Sequence, residues 1–222
     1  MKRWIISLVY FLISLLYIFL PGDSPGLFLL FIKASILPSL IILFIIGADR
    51  EKKLMNIFMS AGLICSWAGD VFLDIPGGGD MMFMAGLVFF LLAHVNYILL
   101  FVLTPPRGLI RGNGLWYLIA VTGYGLFLYS SLHENLGSMK LPVIIYATVI
   151  LLMFLAAIGR GDKVNRKSFF MVLSGAFLFV ISDSALAFNK FNGGFTGAHI
   201  VVMSTYVLGQ YQIVTGYLAE KT

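Results

Sequence analysis

Eight long apolar stretches occupy most of the chain, and each is about 17 to 23 residues long. A helix of roughly 20 apolar residues crosses the hydrocarbon core of a bilayer, so every stretch has the length of a membrane span. With 60% hydrophobic and only 11% charged residues among 222, the composition excludes a soluble domain. The stretches are residues 4–20, 27–47, 54–75, 81–103, 115–132, 141–158, 169–188 and 200–218.

The breaks between the stretches are short and rich in Gly, Pro and charged residues, as in "PGDSPG", "ADREKK" and "NKFNGG". These residues form tight turns rather than additional domains. The sequence therefore predicts an all-α fold, a polytopic membrane bundle of about eight transmembrane helices that forms a single domain over residues 1–222.

Lys and Arg near helix ends accumulate on the cytoplasmic side of membrane proteins. If the N-terminus is cytoplasmic, twelve basic residues fall inside and only Lys140 and Lys190 fall outside. We therefore expect both termini inside, in a multi-pass protein of a bacterial cytoplasmic membrane. The net charge of +5 then reflects topology and contact with membrane lipids, and no nucleic acid partner is indicated. The inner residues are Lys2, Arg3, Arg50, Lys52, Lys53, Arg107, Arg111, Arg160, Lys163, Arg166, Lys167 and Lys221.

Ionisable groups inside membrane helices are costly and commonly functional, and this chain has few of them. At about 1.5 Å of rise per residue, Asp70 and Asp183 lie about 8 Å below the outer helix ends, and Lys33 and Tyr206 about 10 Å below them. His94 is deeper, at about 20 Å. The counting predicts a polar layer contributed by four helices.

One lysine in this layer can neutralise one aspartate, which leaves the other able to hold a proton. Such a pair supplies one acid and one base, the requirement for hydrolysis through an oxocarbenium-like state. A structural ion-pair cluster is the alternative interpretation. Asp70 and Asp183 also occupy matching positions, since each follows a glycine by eight residues and precedes a leucine by three, which favours a parallel internal duplication.

Four segments resemble the YhhN family of polytopic membrane proteins, whose characterised members are lysoplasmalogenases: "SWAGDVFL", "FMAGLVFFLLAHVNYILLF", "SGAFLFVISDSALAF" and "TYVLGQYQIVTGYL". Lys33 and Pro38 in "FIKASILP" resemble that family's early Lys and Pro element, although there the Pro follows the Lys directly. The resemblance implies hydrolysis of the vinyl ether of a lysophospholipid substrate, releasing a fatty aldehyde and glycerophospho-ethanolamine or -choline. We expect no cofactor, because the sequence has no close cluster of histidines.

On this interpretation Asp70 and Asp183 are the catalytic acid and base. Ser66 and Ser182 are candidates for orienting water, or they bond their own helix backbone. The pairs His94 and Tyr97, and Tyr206 and Gln210, each lie one helical turn apart and are candidates for contacting the substrate together with Lys33. The oligomeric state is not indicated.

Two other functions remain open at this stage. A zinc hydrolase would use His94, His199 and the two aspartates as ligands, but the depth of His94 and the absence of a paired-His motif disfavour it. A proton- or cation-coupled transporter would use Asp70 and Asp183 as carriers. Such transporters contain broken helices, and the third and seventh stretches lack Gly and Pro interruptions at their centres.

Overall fold

A computed structural model describes residues 3–20, 26–104, 114–161 and 164–220. Within these ranges the protein is all-helical, with eight α-helices, one 3-10 turn at Gly137–Met139 and no strand. The helices are α1 (Arg3–Phe19), α2 (Gly26–Gly47), α3 (Lys53–Leu73), α4 (Gly79–Leu103), α5 (Gly114–Leu132), α6 (Lys140–Ile158), α7 (Arg166–Phe191) and α8 (Ala198–Leu218).

Every predicted apolar stretch is a helix, and the ends differ from the prediction by at most three residues. The helix α3 stops two residues early, at Leu73, with Asp74 as its C-terminal cap, because Pro76 disfavours helical backbone at the residue before it. The helix α7 begins three residues early because Asn165 caps it, accepting a hydrogen bond from the Ser168 backbone N–H.

Six helices, α2 to α7, are long and apolar enough to cross a bilayer. The chain is therefore an integral membrane protein of all-α class. The helix α1 is shorter, with 17 residues, and α8 carries several polar side chains in "MSTYVLGQYQ". Five of the basic residues used to assign the orientation lie outside the described residues, namely Lys2, Arg107, Arg111, Lys163 and Lys221.

The chain divides into two compact units, one up to Leu100 and one from Phe101 to Glu220. The first unit contains α1, α2, α3 and most of α4. The second unit contains α5 to α8 together with the last residues of α4. A single domain over residues 1–222 stays a prediction.

In the first unit, close packing of α3 on α4 depends on glycine. A Cβ atom on Gly69 would lie 2.6 Å from the Phe90 ring, and one on Gly86 would lie 2.8 Å from Leu73. Helices in a membrane are not driven together by the hydrophobic effect, so their association depends on close packing. Small residues at the interface allow that close approach. The last turn of α3, which carries Asp70, is therefore held firmly against α4.

In the second unit, α7 and α8 pack with direct backbone contact. A Cβ atom on Gly175 would lie 2.8 Å from the Gly209 carbonyl oxygen. Beyond the helix ends, the buried Arg160 guanidinium pairs with Glu220 at 3.0 Å and tethers the end of α8. Burial lowers the pKa of Arg160 from its ordinary value, and the Glu220 carboxylate opposes that shift.

Candidate active site

The end of α3 carries two carboxylates that face one lysine. Lys33 Nζ on α2 lies 2.7 Å from Asp74 Oδ1 and 3.8 Å from Asp70 Oδ1. The two aspartates are four residues apart, so they stand one above the other on the same face of the helix. Lys33 and Asp70 are almost fully buried, whereas the Asp74 side chain is 24% exposed. Asp74 is thus both the nearer partner of Lys33 and the more accessible carboxylate.

Tyr17 of α1 completes this cluster. Its hydroxyl donates a short hydrogen bond to Asp74 Oδ2, and Lys33 Nζ lies 5.8 Å from the centroid of its ring. When Lys33 and both aspartates are ionised, the cluster holds one negative charge in excess. The cluster therefore brings together a hydroxyl, an ammonium group and two carboxylates, which are groups that acid–base catalysis uses.

A proline sets the position of Lys33 against α3. Pro38 has no backbone N–H, so the carbonyl of Ala34, four residues earlier, has no helical partner. The Trp67 indole of α3 donates to that carbonyl at 2.8 Å. This interhelical bond joins the residue after Lys33 to a residue one turn before Asp70, and it holds α2 against α3.

Ser66 is fully buried one turn before Asp70. Within the described part of the chain, its hydroxyl oxygen has no hydrogen-bond partner. A buried hydroxyl without a partner is unusual and requires an explanation such as a bound ligand or water. Ser66 therefore offers a polar contact on the helix face that carries Asp70.

His94 and Tyr97 of α4 are both completely buried. The Tyr97 ring packs on α3, where a Cβ atom on Gly62 would lie 2.6 Å from its Cε1 atom. The glycine eight residues before Asp70 thus makes room for Tyr97. Tyr97 of α4 therefore packs against α3 at Gly62, about two helical turns before Asp70.

In the second unit, Asp183 of α7 faces α6. The Tyr146 hydroxyl donates a short hydrogen bond to Asp183 Oδ2. The neighbouring Ser184 accepts a hydrogen bond from the Tyr124 hydroxyl of α5 at 2.7 Å. Two tyrosines from two helices therefore fix consecutive residues of α7.

The remaining candidates lie between α7 and α8. The Ser182 hydroxyl donates to the Val202 carbonyl at 3.0 Å, so its proton is engaged in helix packing. The Tyr206 ring meets Phe179 edge-to-face with centroids 5.4 Å apart. Gln210 is completely buried one turn further along α8. Ser182 thus contacts α8, whereas Asp183 contacts α6, because one residue turns the helix by about 100°.

His199 is exposed in the first turn of α8. In residues 3–20, 26–104, 114–161 and 164–220, no group of three or more His, Cys, Asp or Glu side chains is placed to hold a metal ion. The ligand set that the zinc hypothesis requires is therefore not assembled in the described part of the chain.

Sequence reasoning missed Asp74, Tyr17 and Tyr146. Asp74 had a recognisable signal, because it follows Asp70 by one helical turn. Tyr17 and Tyr146 had none, since they are two of ten tyrosines in apolar surroundings. Their roles depend on which helices pack together.

The chain is similar to known proteins over most of its length. The YhhN family model matches residues 28–217. The human protein named lysoplasmalogenase TMEM86B is 26% identical over 216 residues, covering 97% of this chain and 87% of the human protein. The pig protein of the same name, from Sus scrofa, is 30% identical over 206 residues, covering 92% of this chain and 80% of the pig protein. No solved structure matches the chain.

Proposed function

This chain belongs to the YhhN family, and we propose that it is an integral membrane lysoplasmalogenase. It hydrolyses the vinyl ether bond of a lysoplasmalogen to a fatty aldehyde and glycerophospho-ethanolamine or -choline. The observation that carries this proposal is the similarity to named lysoplasmalogenases over more than nine-tenths of the chain. Carboxylates placed within apolar helices are the side chains that such a reaction needs.

The reaction requires one acid and one base and consumes one water. The acid protonates the β-carbon of the vinyl ether, and the positive charge spreads over the adjacent carbon and the ether oxygen. Water then attacks that carbon and passes a proton to the base. The resulting hemiacetal collapses, the carbon–oxygen bond to glycerol breaks, and the aldehyde leaves.

We assign the acid and base roles to Asp70 and Asp183. Two observations support this assignment, one for each unit. Asp70 is almost fully buried beside Lys33, and Asp183 accepts a hydrogen bond from Tyr146 of the preceding helix. A general acid or base must be held in a fixed position, and these partners hold the two carboxylates.

We assign contacts with the substrate to Lys33, Ser66, His94, Tyr97, Ser182, Tyr206 and Gln210. The buried Ser66 hydroxyl supports this for the first unit, because a substrate oxygen or a water would supply its missing partner. Asp74, the nearer partner of Lys33, holds that lysine beside Asp70 and is a positioning residue.

We further propose that all eight helices cross the membrane and that both termini are cytoplasmic, in a bacterial cytoplasmic membrane. The helix α1 has 17 residues, which is about the lower limit for a span. The charges support the orientation, since Arg50, Lys52, Arg166 and Lys167 lie at helix ends that this topology places inside.

The test of the activity is hydrolysis by the purified protein in lipid nanodiscs. Lysoplasmenylethanolamine is supplied, and aldehyde release is followed by NADH consumption with a coupled alcohol dehydrogenase. The matched control substrate is the saturated 1-alkyl ether, which has no unsaturated β-carbon to protonate and should release nothing. Failure to release aldehyde from the vinyl ether would contradict the proposal.

A chelator arm in the same assay separates the two hydrolase mechanisms. Activity that survives a strong chelator supports acid–base catalysis by aspartates. Activity that is lost and then restored by zinc would support the metal-dependent alternative.

A further inference from the structure

An apolar cavity of about 390 Å³ lies within the second unit, between α5 and α6. Its described lining includes no charged residue, and most of it is Leu, Val, Ile and Ala. The hydroxyl of Thr148, one of its few polar residues, already donates to the Ile144 carbonyl. Lining of this kind suits a hydrocarbon, and the volume is within the usual range of small-ligand sites, about 300 to 1,000 Å³.

The cavity is an elongated slot that follows the two helices. On α6 its lining runs from Val143 to Leu155, a distance of about 18 Å at 1.5 Å per residue. One leaflet of the hydrocarbon core is about 15 Å thick. The slot therefore has the length of a single lipid chain. Leu126, Ile144 and Leu152 on its rim are 64%, 40% and 48% exposed, so a chain can enter from the side.

Two small residues keep the slot open. Gly125 on α5 contributes no side chain, and Ala147 on α6 contributes one carbon. A Cβ atom added to Gly125 would lie 2.8 Å from a Leu151 methyl carbon. Larger side chains at these two positions would occupy the space directly.

Two residues of the slot lining lie close in the sequence to Tyr146, which bonds Asp183. Val143 and Ala147, which line it, lie three residues before and one residue after Tyr146 on α6. At 3.6 residues per turn they are about 60° and about 100° around the helix from Tyr146, on the same side. From Ala147 the slot continues to Leu155, a further distance of about 12 Å.

We propose that this slot binds the alk-1-enyl chain of the substrate, and the proposal rests on the proposed function. The vinyl ether joins the first two carbons of that chain to the glycerol oxygen. A chain whose first carbons lie at the Tyr146 end therefore brings the reacting bond to the Asp183 side, with the remaining carbons extending towards Leu155. The slot holds one chain, which matches a lysolipid.

The first test is the chain-length profile of hydrolysis. Ala147→Phe and Gly125→Leu fill the slot. Gly123→Leu is the control, because a Cβ atom on Gly123 would meet no neighbouring side chain or other helix within 4 Å. We expect kcat/KM for the hexadecenyl substrate to fall about tenfold or more relative to the decenyl substrate in both slot variants. Gly123→Leu should keep the wild-type ratio.

The two proposals fail in different ways in this assay. If the wild-type protein hydrolyses no chain length, the proposed function is contradicted. If the wild-type protein is active and a folded Ala147→Phe variant keeps the wild-type ratio between the two chains, the slot proposal is overturned while the function stands.

The second test uses the unmodified protein and needs no folded variant. A non-cleavable 1-alkyl lysolipid carries a photoreactive diazirine at the chain terminus, and its cross-links in nanodiscs are mapped by mass spectrometry. We expect cross-links on α5 and α6 near Val121 and Leu155, competed by unlabelled lysolipid and not by diacyl phospholipid. Equal competition by diacyl phospholipid would show that the slot takes bulk bilayer lipid only and would overturn the proposal.

Discussion

Lys33 Nζ lies 2.7 Å from Asp74 Oδ1, closer than the 3.8 Å that separates it from Asp70. Lys33 therefore pairs with both carboxylates, and Asp74 is the nearer of the two. Asp74 holds the lysine in place beside the more buried Asp70. The arrangement assigns Asp74 a positioning role towards the more buried carboxylate.

Asp74→Asn should lower kcat about tenfold, equivalent to about 1.4 kcal/mol, with a small change in KM. Asparagine lacks the charge that holds Lys33 at 2.7 Å, so the lysine loses its fixed position beside Asp70. The measurement is steady-state aldehyde release. Glu51→Gln, which neutralises an exposed carboxylate in the α2–α3 loop, is the control. Wild-type kinetics in Asp74→Asn would exclude the positioning role.

Asp70→Asn and Asp183→Asn should each reduce turnover about 100-fold or more, the usual contribution of a general acid or base. Asparagine preserves the shape of the side chain and cannot transfer a proton. The measurement is kcat together with a thermal unfolding curve, which should stay close to that of the wild-type protein.

The same variants also test whether the catalytic pair is Asp70 with Asp183 or Asp70 with Asp74. If Asp183→Asn keeps substantial turnover while Asp70→Asn and Asp74→Asn lose it, the chemistry belongs to the α3 cluster alone, and the assignment of Asp183 is wrong.

Tyr146→Phe should lower kcat by about 10- to 100-fold, because a hydrogen bond to a charged group contributes about 1.5 to 3 kcal/mol. Tyr146 fixes the Asp183 carboxylate through its hydroxyl, so KM should change less than kcat. The matched control is Tyr124→Phe, which removes the hydroxyl that bonds the neighbouring Ser184. If both variants lose activity to the same extent, Tyr146 contributes only to helix packing.

Trp67→Phe should lower the Tm by about 2 to 4 °C, since an interhelical hydrogen bond in a membrane contributes about 1 kcal/mol. The variant leaves the Ala34 carbonyl, freed by Pro38, without its indole donor. Trp116→Phe is the control, because Trp116 is exposed on α5. Thermal unfolding in matched detergent measures both, and an unchanged Tm for Trp67→Phe would show that another donor satisfies the carbonyl.

The helices were predictable because their signal is local. An apolar stretch bounded by Gly, Pro and charged residues specifies an apolar helix without any tertiary information. The eight helices agree with the stretches to within three residues, and six of them are long and apolar enough to cross a bilayer. The partners of the aspartates were less predictable. Whether Asp74 or Asp70 is nearer to Lys33 depends on side-chain reach across two helices, and Tyr146 meets Asp183 only because α6 packs on α7.

The matching Gly and Asp positions of α3 and α7 make similar contacts in the structure. In each helix the glycine eight residues before the aspartate is a point of close approach to the next helix, Gly62 to Tyr97 and Gly175 to Gly209. In each, the aspartate contacts a donor on the preceding helix, Lys33 or Tyr146. Equivalent contacts in two four-helix units support a parallel internal duplication in which one donor is a lysine and the other a tyrosine.

The proposed orientation predicts which loops a reagent outside the cell can reach. With cytoplasmic termini, the α2–α3 loop lies inside and the α7–α8 loop lies outside, and Glu51 and Thr196 are exposed residues of these two loops. Cys65 is the single native cysteine, so Cys65→Ala provides an unreactive background for Glu51→Cys and Thr196→Cys. Challenged in intact cells with a membrane-impermeant maleimide, Thr196→Cys should be labelled at once, and Glu51→Cys only after permeabilisation. The background protein alone should remain unlabelled. The opposite labelling pattern would place the basic helix ends outside and would require the lysolipid to approach Asp70 and Asp183 from the cytoplasmic leaflet.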